Sequence, residues 1–554
     1  MRPFDWVVLV VWILALVSYG MYRGRQSSTM NQYLLGGKTM PWYAMGLSIM
    51  ATQASAITFI STTAQAYIDG MRFVQFYFGL PLAMVILSAT AVPIFHRANV
   101  YTAYEYLEQR FDMRTRALVT GIFLLQRGLG AGLSLYAPAV VLSVVLGWPD
   151  RLTTLLMGLL VVIYTTTGGI KAVTWADVQQ MSVILLSLVV ALFMALYLMP
   201  PDITFSKALV LAGAAGRLNP VTTNFDPNDR YNIWSGLIGG TFLALAYFGT
   251  DQSQVQRYLS GSSINQSRLS LIFNAMAKIP MQFFILFIGT MVFVFFLFER
   301  PPMVFQPVEA KRIESKAGFA AAESRYNQAF EKRSQAAHRV AAGDPAAPAE
   351  FRAAQKEFDG AREQGLKLAG TKDANYIFLH FVTHYLPIGL VGLVVGVIFT
   401  AAMSSISGEI NSLATVSVID VYRRYLNKDG SDRHYLIVSR LLTAFWGIYA
   451  IGFASLGGGF GPLIEAVNLI GSLFYGGMLG VFVLAFFFKG VNGSGAFYAV
   501  LVGEAAIFSC YFFTKIAFLW YNVIGCLVVI AVGVMLSQFS NFATPPSKVR
   551  QTSS

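Results

Sequence analysis

The sequence predicts an all-α polytopic membrane protein of about 13 transmembrane helices that contains two inverted five-helix repeats. Apolar residues make up 55% of the chain and charged residues 12%, about half the charge of an ordinary soluble domain. Apolar runs of about 20 residues recur along the chain, and each is long enough to cross a bilayer. Two of these runs, five spans apart, carry polar clusters at mid-depth, as a broken membrane helix would.

The predicted spans follow the apolar runs in chain order. They cover residues 4–22, 41–69, 71–95, 115–146, 152–167, 175–199, 232–251, 270–298, 386–419, 436–456, 462–488, 495–514 and 516–537. The first run is interpreted as a spanning helix, because it lacks the small-residue cleavage site of a signal peptide. The predicted organisation is a first helix and cytoplasmic loop (1–40), a first repeat (41–199), an extracytoplasmic loop (200–231), a second repeat (232–488), two further helices (489–540) and a cytoplasmic tail (541–554).

A polar segment interrupts the second repeat between residues 308 and 372. It is rich in Ala, Glu, Lys, Arg and Gln, and the turn-forming sequence Gly343-Asp-Pro lies in its middle. This composition predicts two polar helices joined by a turn, outside the membrane.

The net charge of +12 could suggest a nucleic-acid partner, but the distribution of the basic residues favours a membrane topology. They concentrate in alternate loops: Arg23–Lys38, His96–Arg116, Arg257–Arg268, Arg423–Arg440 and the tail with Lys548 and Arg550. Cytoplasmic loops of membrane proteins carry such an excess. We therefore expect a multi-pass protein of the inner (plasma) membrane, with the amino terminus outside, the carboxyl terminus cytoplasmic and no nucleic-acid partner.

Two spans show the signature of an interrupted helix. Met45–Phe59 of the second span clusters four polar side chains at mid-depth, and Tyr247–Gln254 of the seventh span is similarly disturbed. Unwound backbone at this depth needs partners and often lines a binding site. Because five spans separate the two breaks, the repeats that contain them have opposite topology.

A stripe of small and hydroxyl residues runs along one side of the ninth predicted span. It comprises Ala401, Ser404, Ser405, Gly408, Asn411, Ser412 and Thr415. One interpretation is close packing against another helix, which small residues favour in membranes. The other is a cation site, in which the adjacent hydroxyls of Ser404 and Ser405 and the carbonyl of Ala401 provide hard oxygen ligands.

Five motifs resemble, in order, those of the sodium:solute symporter family. They are Tyr33–Trp42, Ala51–Phe59, the glycine-rich Tyr164–Gln180, Gln252–Tyr258 and the serine-bearing stretch Gly396–Asp420. The resemblance covers nearly the whole chain apart from residues 308–372. It implies the leucine-transporter fold, in agreement with the two broken helices.

The resemblance also implies sodium sites. The main site would use the carbonyl oxygens of Ala51, Ala54 and Ala401 and the hydroxyls of Ser404 and Ser405. In some members a second sodium ion is bound, and the matching residues here are Asp177, Ser404 and Ser407. Gly408 stands where those members have a serine.

The solute is expected beside the two broken spans, next to the ion. Candidate residues on the second, third and seventh spans are Gln53, Ser55, Thr58, Tyr77, Tyr247, Phe248 and Gln252. Arg127, inside the fourth span, is a further candidate, because an unpaired guanidinium there is costly. It is either a bidentate clamp for a substrate carboxylate or part of an internal salt bridge, with Asp177 or Glu409.

These features predict a sodium-coupled symporter that imports a small organic solute, with a carboxylate as the leading class, by alternating access. A proton-coupled symporter of a sugar or polyol and a channel-like protein on the same scaffold are the alternatives. An enzyme is not predicted, because the five histidines lie outside or near the membrane edges. The expected partners are the solute, sodium ions and the lipid bilayer.

Overall fold

The computed structural model describes residues 1–24, 36–167, 170–455 and 462–543. Parts of two sequence motifs, residues 33–35 and Gly168–Gly169, lie outside the described residues, as do Lys548 and Arg550 of the tail. The described residues form helices joined by short connections, with a single backbone bridge between Met40 and Gly261.

The first half of the chain contains ten α-helices. They are α1 (Pro3–Gly24), α2 (Trp42–Gln53), α3 (Thr63–Asp69), α4 (Leu80–Ala89), α5 (Ala91–Ala98), α6 (Ala103–Arg110), α7 (Met113–Leu146), α8 (Asp150–Thr167), α9 (Ile170–Tyr197) and α10 (Phe205–Ala214). A π-helical turn at Thr58–Thr62 precedes α3, and the 3₁₀ segment Gly70–Tyr77 follows it.

The second half contains twelve more. They are α11 (Gly240–Thr250), α12 (Gln252–Leu259), α13 (Ile264–Phe298), α14 (Pro307–Ile313), α15 (Phe319–Ala341), α16 (Ala347–Ala369), α17 (Ile377–Tyr385), α18 (Leu390–Val416), α19 (Asp432–Ala454), α20 (Leu463–Phe487), α21 (Gly493–Phe513) and α22 (Leu519–Ala543). π-Helical segments occur at Ser235–Gly239, before α11, and at Ser417–Leu426, after α18.

Helical segments occupy the positions of the predicted spans. By length and composition, nine stretches among the described residues can cross a membrane, and three shorter apolar helices, Pro3–Ala15, Phe205–Ala214 and Ser235–Thr250, accompany them. Thr58–Ala98 counts as one of the nine, although the sequence predicts a boundary between two spans inside it. The all-helical architecture is therefore confirmed, while the count of 13 spans stays a prediction.

Both predicted breaks are present. In the second predicted span α2 ends at Gln53, and Ala54 leaves the helical region with ψ of 52°. In the seventh, Asp251 is extended (ψ of 119°) between α11 and α12, and its carboxylate caps α12 by accepting a hydrogen bond from Ser253 N–H. Each break exposes backbone groups that the helix would otherwise use internally.

The helix with the serine stripe lies at the centre of the bundle. In the apolar 18-residue stretch of Leu390–Leu426, 89% of the residues are buried, against 22% in the corresponding stretch of the following helix, α19. Helices α1, α7, α9 and α19 pack around α18. Its small and hydroxyl residues therefore face protein and not lipid.

The polar segment contains a helical hairpin, formed by α15 and α16, while its location outside the membrane stays a prediction. Gly343, in the turn between them, has φ of 86°, which an L side chain rarely adopts. The hairpin has its own core, including Tyr326 and Phe358, and it packs on α10 and α13. The fully buried Arg333 fixes it there: its guanidinium donates to Phe296 O (2.6 Å) and lies 3.5 Å over the ring of Phe358. Burial also lowers the pKa of Arg333.

Candidate functional site

The broken end of α2 lies against the serine pair of α18. Because α2 stops at Gln53, the carbonyls of its last turn need new partners. The Oγ of Ser405 lies 3.5 Å from the carbonyl oxygen of Ala51 and 3.0 Å from that of Ala401. Hydroxyl and carbonyl oxygens from two distant parts of the chain thus converge in a buried place, where Ala51, Ser404 and Ser405 are all at most 4% exposed.

The other oxygens of the break are arranged around this point. Met50 O accepts a hydrogen bond from Ala54 N–H (2.8 Å), and Gln53 O accepts one from the hydroxyl of Thr58 (2.6 Å). Ala54 is fully buried at the break itself. Met50 O and Gln53 O thus have partners within the second span, whereas the carbonyl of Ala51 approaches Ser405 on α18.

An ionic cluster adjoins the serine pair. The buried carboxylate of Asp177, on α9, accepts hydrogen bonds from the hydroxyls of Ser48 (2.5 Å) and Ser404. The guanidinium of Arg257, on α12, lies 3.8 Å from the same carboxylate. Ser407, the other candidate for a second ion, is buried three residues beyond Ser404 on α18. Ser404 therefore belongs both to the serine pair and to the surroundings of Asp177.

A cavity of about 110 Å³ lies beside the two breaks. Seven of the eight predicted solute residues line it: Gln53, Ser55, Thr58, Tyr77, Arg127, Tyr247 and Phe248. Further lining residues include Gln126, Ser134, Glu409, Asn468 and Tyr475. The lining combines aromatic surface with hydroxyls, amides and one ion pair, as is usual for a site that holds a small polar molecule.

Gln252 is the one candidate that the structure places away from this cavity. Its side-chain amide donates to Tyr101 O (2.8 Å) and accepts from Ala103 N–H (3.0 Å), at the start of α6. As the first residue of α12, it is directed toward the neighbouring connection by the turn at Asp251. It ties the seventh-span break to α6.

Arg127 is held in a salt-bridge network at the edge of the cavity. Its guanidinium pairs with Glu409 (3.2 Å) and with Asp251, and it donates to the hydroxyl of Tyr475 (2.8 Å). That hydroxyl donates in turn to Asp251 (2.9 Å). Of the two sequence interpretations of Arg127, the structure shows the internal salt bridge with Glu409. Asp177 instead has Arg257 as its cation.

Two members of this network were not predicted as site residues. Asp251 stands in the recognised break of the seventh span, and an acid at a helix start inside an apolar run could have marked it. Tyr475 lies in an apolar span with no local signal, because aromatic residues in such spans usually only pack.

On one side of the cavity, hydrogen bonds join the seventh-span break to α6, and the residue that caps α6 to the π-helical segment after α18. The hydroxyl of Tyr104 donates to Thr250 O (2.9 Å). Beyond it, the buried Asp420 accepts from Thr102 (3.0 Å) and pairs with Arg116 (2.5 Å). This is the side of the basic loop His96–Arg116, which the sequence predicts to be cytoplasmic.

Comparisons with known proteins agree with this architecture. The model of the sodium:solute symporter family matches residues 33–318 and 361–503. The chain is 28% identical to the human sodium-coupled monocarboxylate transporter 1, over 90% of this chain and 72% of that protein. It is 27% identical to the sodium/sialic acid symporter of Proteus mirabilis, over 96% and 94%. The solved substrate-bound, outward-open structure of a Na⁺-coupled sialic acid symporter superposes with a TM-score of 0.76 at 26% identity, covering 97% of this chain and 98% of that one.

Proposed function

The chain belongs to the sodium:solute symporter family, and on this premise we propose that it imports a small organic solute, specifically a carboxylate, together with sodium by alternating access. Its relatives are sodium-coupled transporters and not enzymes. The observation that carries the proposal is the 3.5 Å approach of the Ser405 hydroxyl to the Ala51 carbonyl, beside a polar cavity.

The proposed sodium site has five oxygen ligands. They are the carbonyls of Ala51, Ala54 and Ala401 and the hydroxyls of Ser404 and Ser405. Oxygens of this kind suit a hard monovalent cation, and half-helix ends in transporters commonly supply them. A bound ion would connect α2 to α18 and order the unwound segment between them.

Coupling to the solute follows from the sequence of the break. Gln53 and Ser55, which flank Ala54, line the solute cavity. An ion that orders this segment therefore also orders the solute's binding groups, and by linkage the solute must strengthen ion binding equally. Entry of one sodium ion across 100 mV contributes about 2.3 kcal/mol to transport.

Arg127 supports a carboxylate as the solute. It is the one cation among the described lining residues, and relatives named for monocarboxylates and sialic acid carry acidic solutes. A carboxylate solute would take the place of Glu409 on the guanidinium, while Asp251 and Tyr475 keep the arginine oriented. Bidentate recognition of this kind is characteristic of arginine.

A sugar or polyol is the second candidate. Arg127 already has two carboxylate partners, so the network has no excess positive charge to attract an anion. The hydroxyl and amide groups of the lining could bind a neutral polyhydroxylated molecule. In this alternative, transport would be coupled to protons instead of sodium ions.

Uptake into proteoliposomes tests these proposals. An inward sodium gradient should raise the concentration of the transported solute inside the vesicles above its concentration outside. With choline in place of sodium at the same pH, as the control, the solute should not accumulate. Equilibration without accumulation would indicate a channel, and accumulation in choline driven by a pH gradient would indicate proton coupling.

The solute class is tested with Arg127→Lys, which keeps the charge but loses the planar fork. For a carboxylate, the apparent KM should rise about tenfold or more, since a good charge-assisted contact contributes about 1.5–3 kcal/mol. Arg230→Lys, at an exposed arginine that pairs with Glu465 and does not line the cavity, is the control. An unchanged KM for every transported acid would exclude the carboxylate role.

A further inference from the structure

We infer that the guanidinium of Arg257 is a built-in cation for Asp177, admitted because residue 408 is glycine, and that it limits this transporter to one sodium ion per cycle. The inference rests on the proposed sodium coupling. It replaces the second sodium ion that the family resemblance implies at Asp177 and Ser407.

The two charges are enclosed together. Side chains of Asp177 and Arg257 are each 1% exposed, and Asp177 is the one carboxylate within 4 Å of this guanidinium among the described residues. Arg257 also donates to Ser253 O (3.3 Å) and approaches Ser48 O (3.5 Å), so both of these contacts are to uncharged carbonyls. A buried carboxylate needs a cation or several donors, and here it has both.

Gly408 provides the space for this cation. A Cβ at position 408 would lie 2.7 Å from one terminal nitrogen of Arg257 and 3.3 Å from the other. The first distance is shorter than a Cβ contact allows, so alanine or serine at this position would require the end of the Arg257 side chain to shift from its place beside Asp177. Glycine inside a 27-residue helix is also unfavourable by about 1 kcal/mol relative to alanine. The close approach of the Arg257 guanidinium is a physical reason for glycine at position 408.

A second sodium ion would need the space beside Asp177 that the guanidinium of Arg257 occupies. Such an ion would use the carboxylate of Asp177, which already faces a positive charge at 3.8 Å. The sodium ion and the guanidinium would then be two like charges beside one buried carboxylate, and they would repel each other. Ser404 would also have to serve both ions, since its hydroxyl donates to Asp177. The guanidinium therefore supplies the charge that the ion would have supplied.

Unlike a bound sodium ion, the guanidinium of Arg257 cannot leave the protein during the transport cycle. Arg257 belongs to α12, the helix that follows the seventh-span break, while Asp177 belongs to α9 and Gly408 to α18. A sodium ion is released into the cytoplasm in each cycle, whereas the guanidinium stays with the protein. Its charge therefore cannot add to the energy taken from the sodium gradient.

Counting bound ions tests the inference. Binding of ²²Na⁺ alone to the purified full chain, by scintillation proximity with a protein-concentration standard, should give one ion per wild-type chain. Gly408→Ser and Arg257→Gln should each give two, with sodium saturation becoming cooperative. Arg257→Lys keeps the charge and should stay at one, and Gly121→Ser, at a helical glycine with nothing within 4 Å, should also stay at one.

Each other result has a defined meaning. Two ions in the wild type, reduced to one by Asp177→Asn, would overturn the inference while leaving sodium coupling intact. One ion in the wild type and still one in folded Gly408→Ser and Arg257→Gln would also overturn it, because the guanidinium would then not be what excludes the second ion. No bound sodium in the wild type would instead refute the proposed function itself. If either Gly408→Ser or Arg257→Gln fails to fold, the other alone decides the test, because each removes the guanidinium from the side of Asp177 by a different change.

Discussion

Replacing Ser405 with alanine should weaken sodium binding while leaving the fold in place. The hydroxyl is 2% exposed, so water has no ready access to replace it as a ligand. A polar contact to a charged group contributes about 1.5–3 kcal/mol, which corresponds to about a 10- to 150-fold rise in the sodium concentration needed for half-saturation. The lost hydrogen bond to Ala401 O should itself reduce stability by only about 1 kcal/mol.

A thermal-unfolding titration in sodium, with potassium keeping the ionic strength constant, measures this effect. At a sodium concentration of 100 times Kd, the ion stabilises the folded protein by about 2.7 kcal/mol, and a 100-fold weaker site retains about 0.4 kcal/mol. The sodium-dependent rise in Tm should therefore largely disappear in Ser405→Ala. Sodium-dependent transport should show the same change in half-saturation.

Ser412→Ala is the matched control for this variant. Ser412 is fully buried on the same helix, and its hydroxyl donates to Glu409 O (2.7 Å), about two turns from the proposed ion. It should change stability slightly and sodium affinity not at all. If Ser405→Ala kept the wild-type sodium response, or if both variants lost it equally, the assignment of the ion to the serine pair would be refuted.

Two further predictions concern buried arginines. Arg127→Met should destabilise the protein by about 3–5 kcal/mol, because Asp251 and Glu409 would be left buried without their cation. Thermal unfolding of this variant, compared with Arg127→Lys, measures the loss. Equal Tm values for the two variants would contradict the prediction. Arg333→Ala should release the hairpin from the bundle by removing its hydrogen bond to Phe296 O. Proteolysis within residues 319–369 should then be faster than in the wild type and in Lys332→Ala, the control at an exposed position. An unchanged rate of proteolysis would contradict the prediction.

The sequence predicted the parts of the site that carry a local signature. Hydroxyls on an apolar helix marked Ser404 and Ser405, and a polar cluster at mid-span marked the break after Gln53. Arg127 stood out because a charge inside a span requires a partner. In each case the cost of placing a polar group in a membrane was visible in the residues themselves.

Features that depend on the packing of distant helices were not predictable. The sequence could not show that Arg127 pairs with Asp251, 124 residues away. It also could not show that Gln252 turns toward α6, because one residue at a sharp break decides the direction of a side chain. Gly408 was visible in the sequence, but its proximity to the guanidinium of Arg257 was not.

The hairpin of α15 and α16 offers a handle for imaging this protein. This helical pair packs on α10 and α13, and the buried Arg333 bonds it to Phe296 near the end of α13. An antibody fragment raised against its outer surface would therefore add mass in a defined orientation to a 60.8 kDa particle otherwise hidden in detergent or lipid. Averaged electron images could then be aligned on the fragment, which would test whether inward- and outward-facing forms of this protein coexist in one sample.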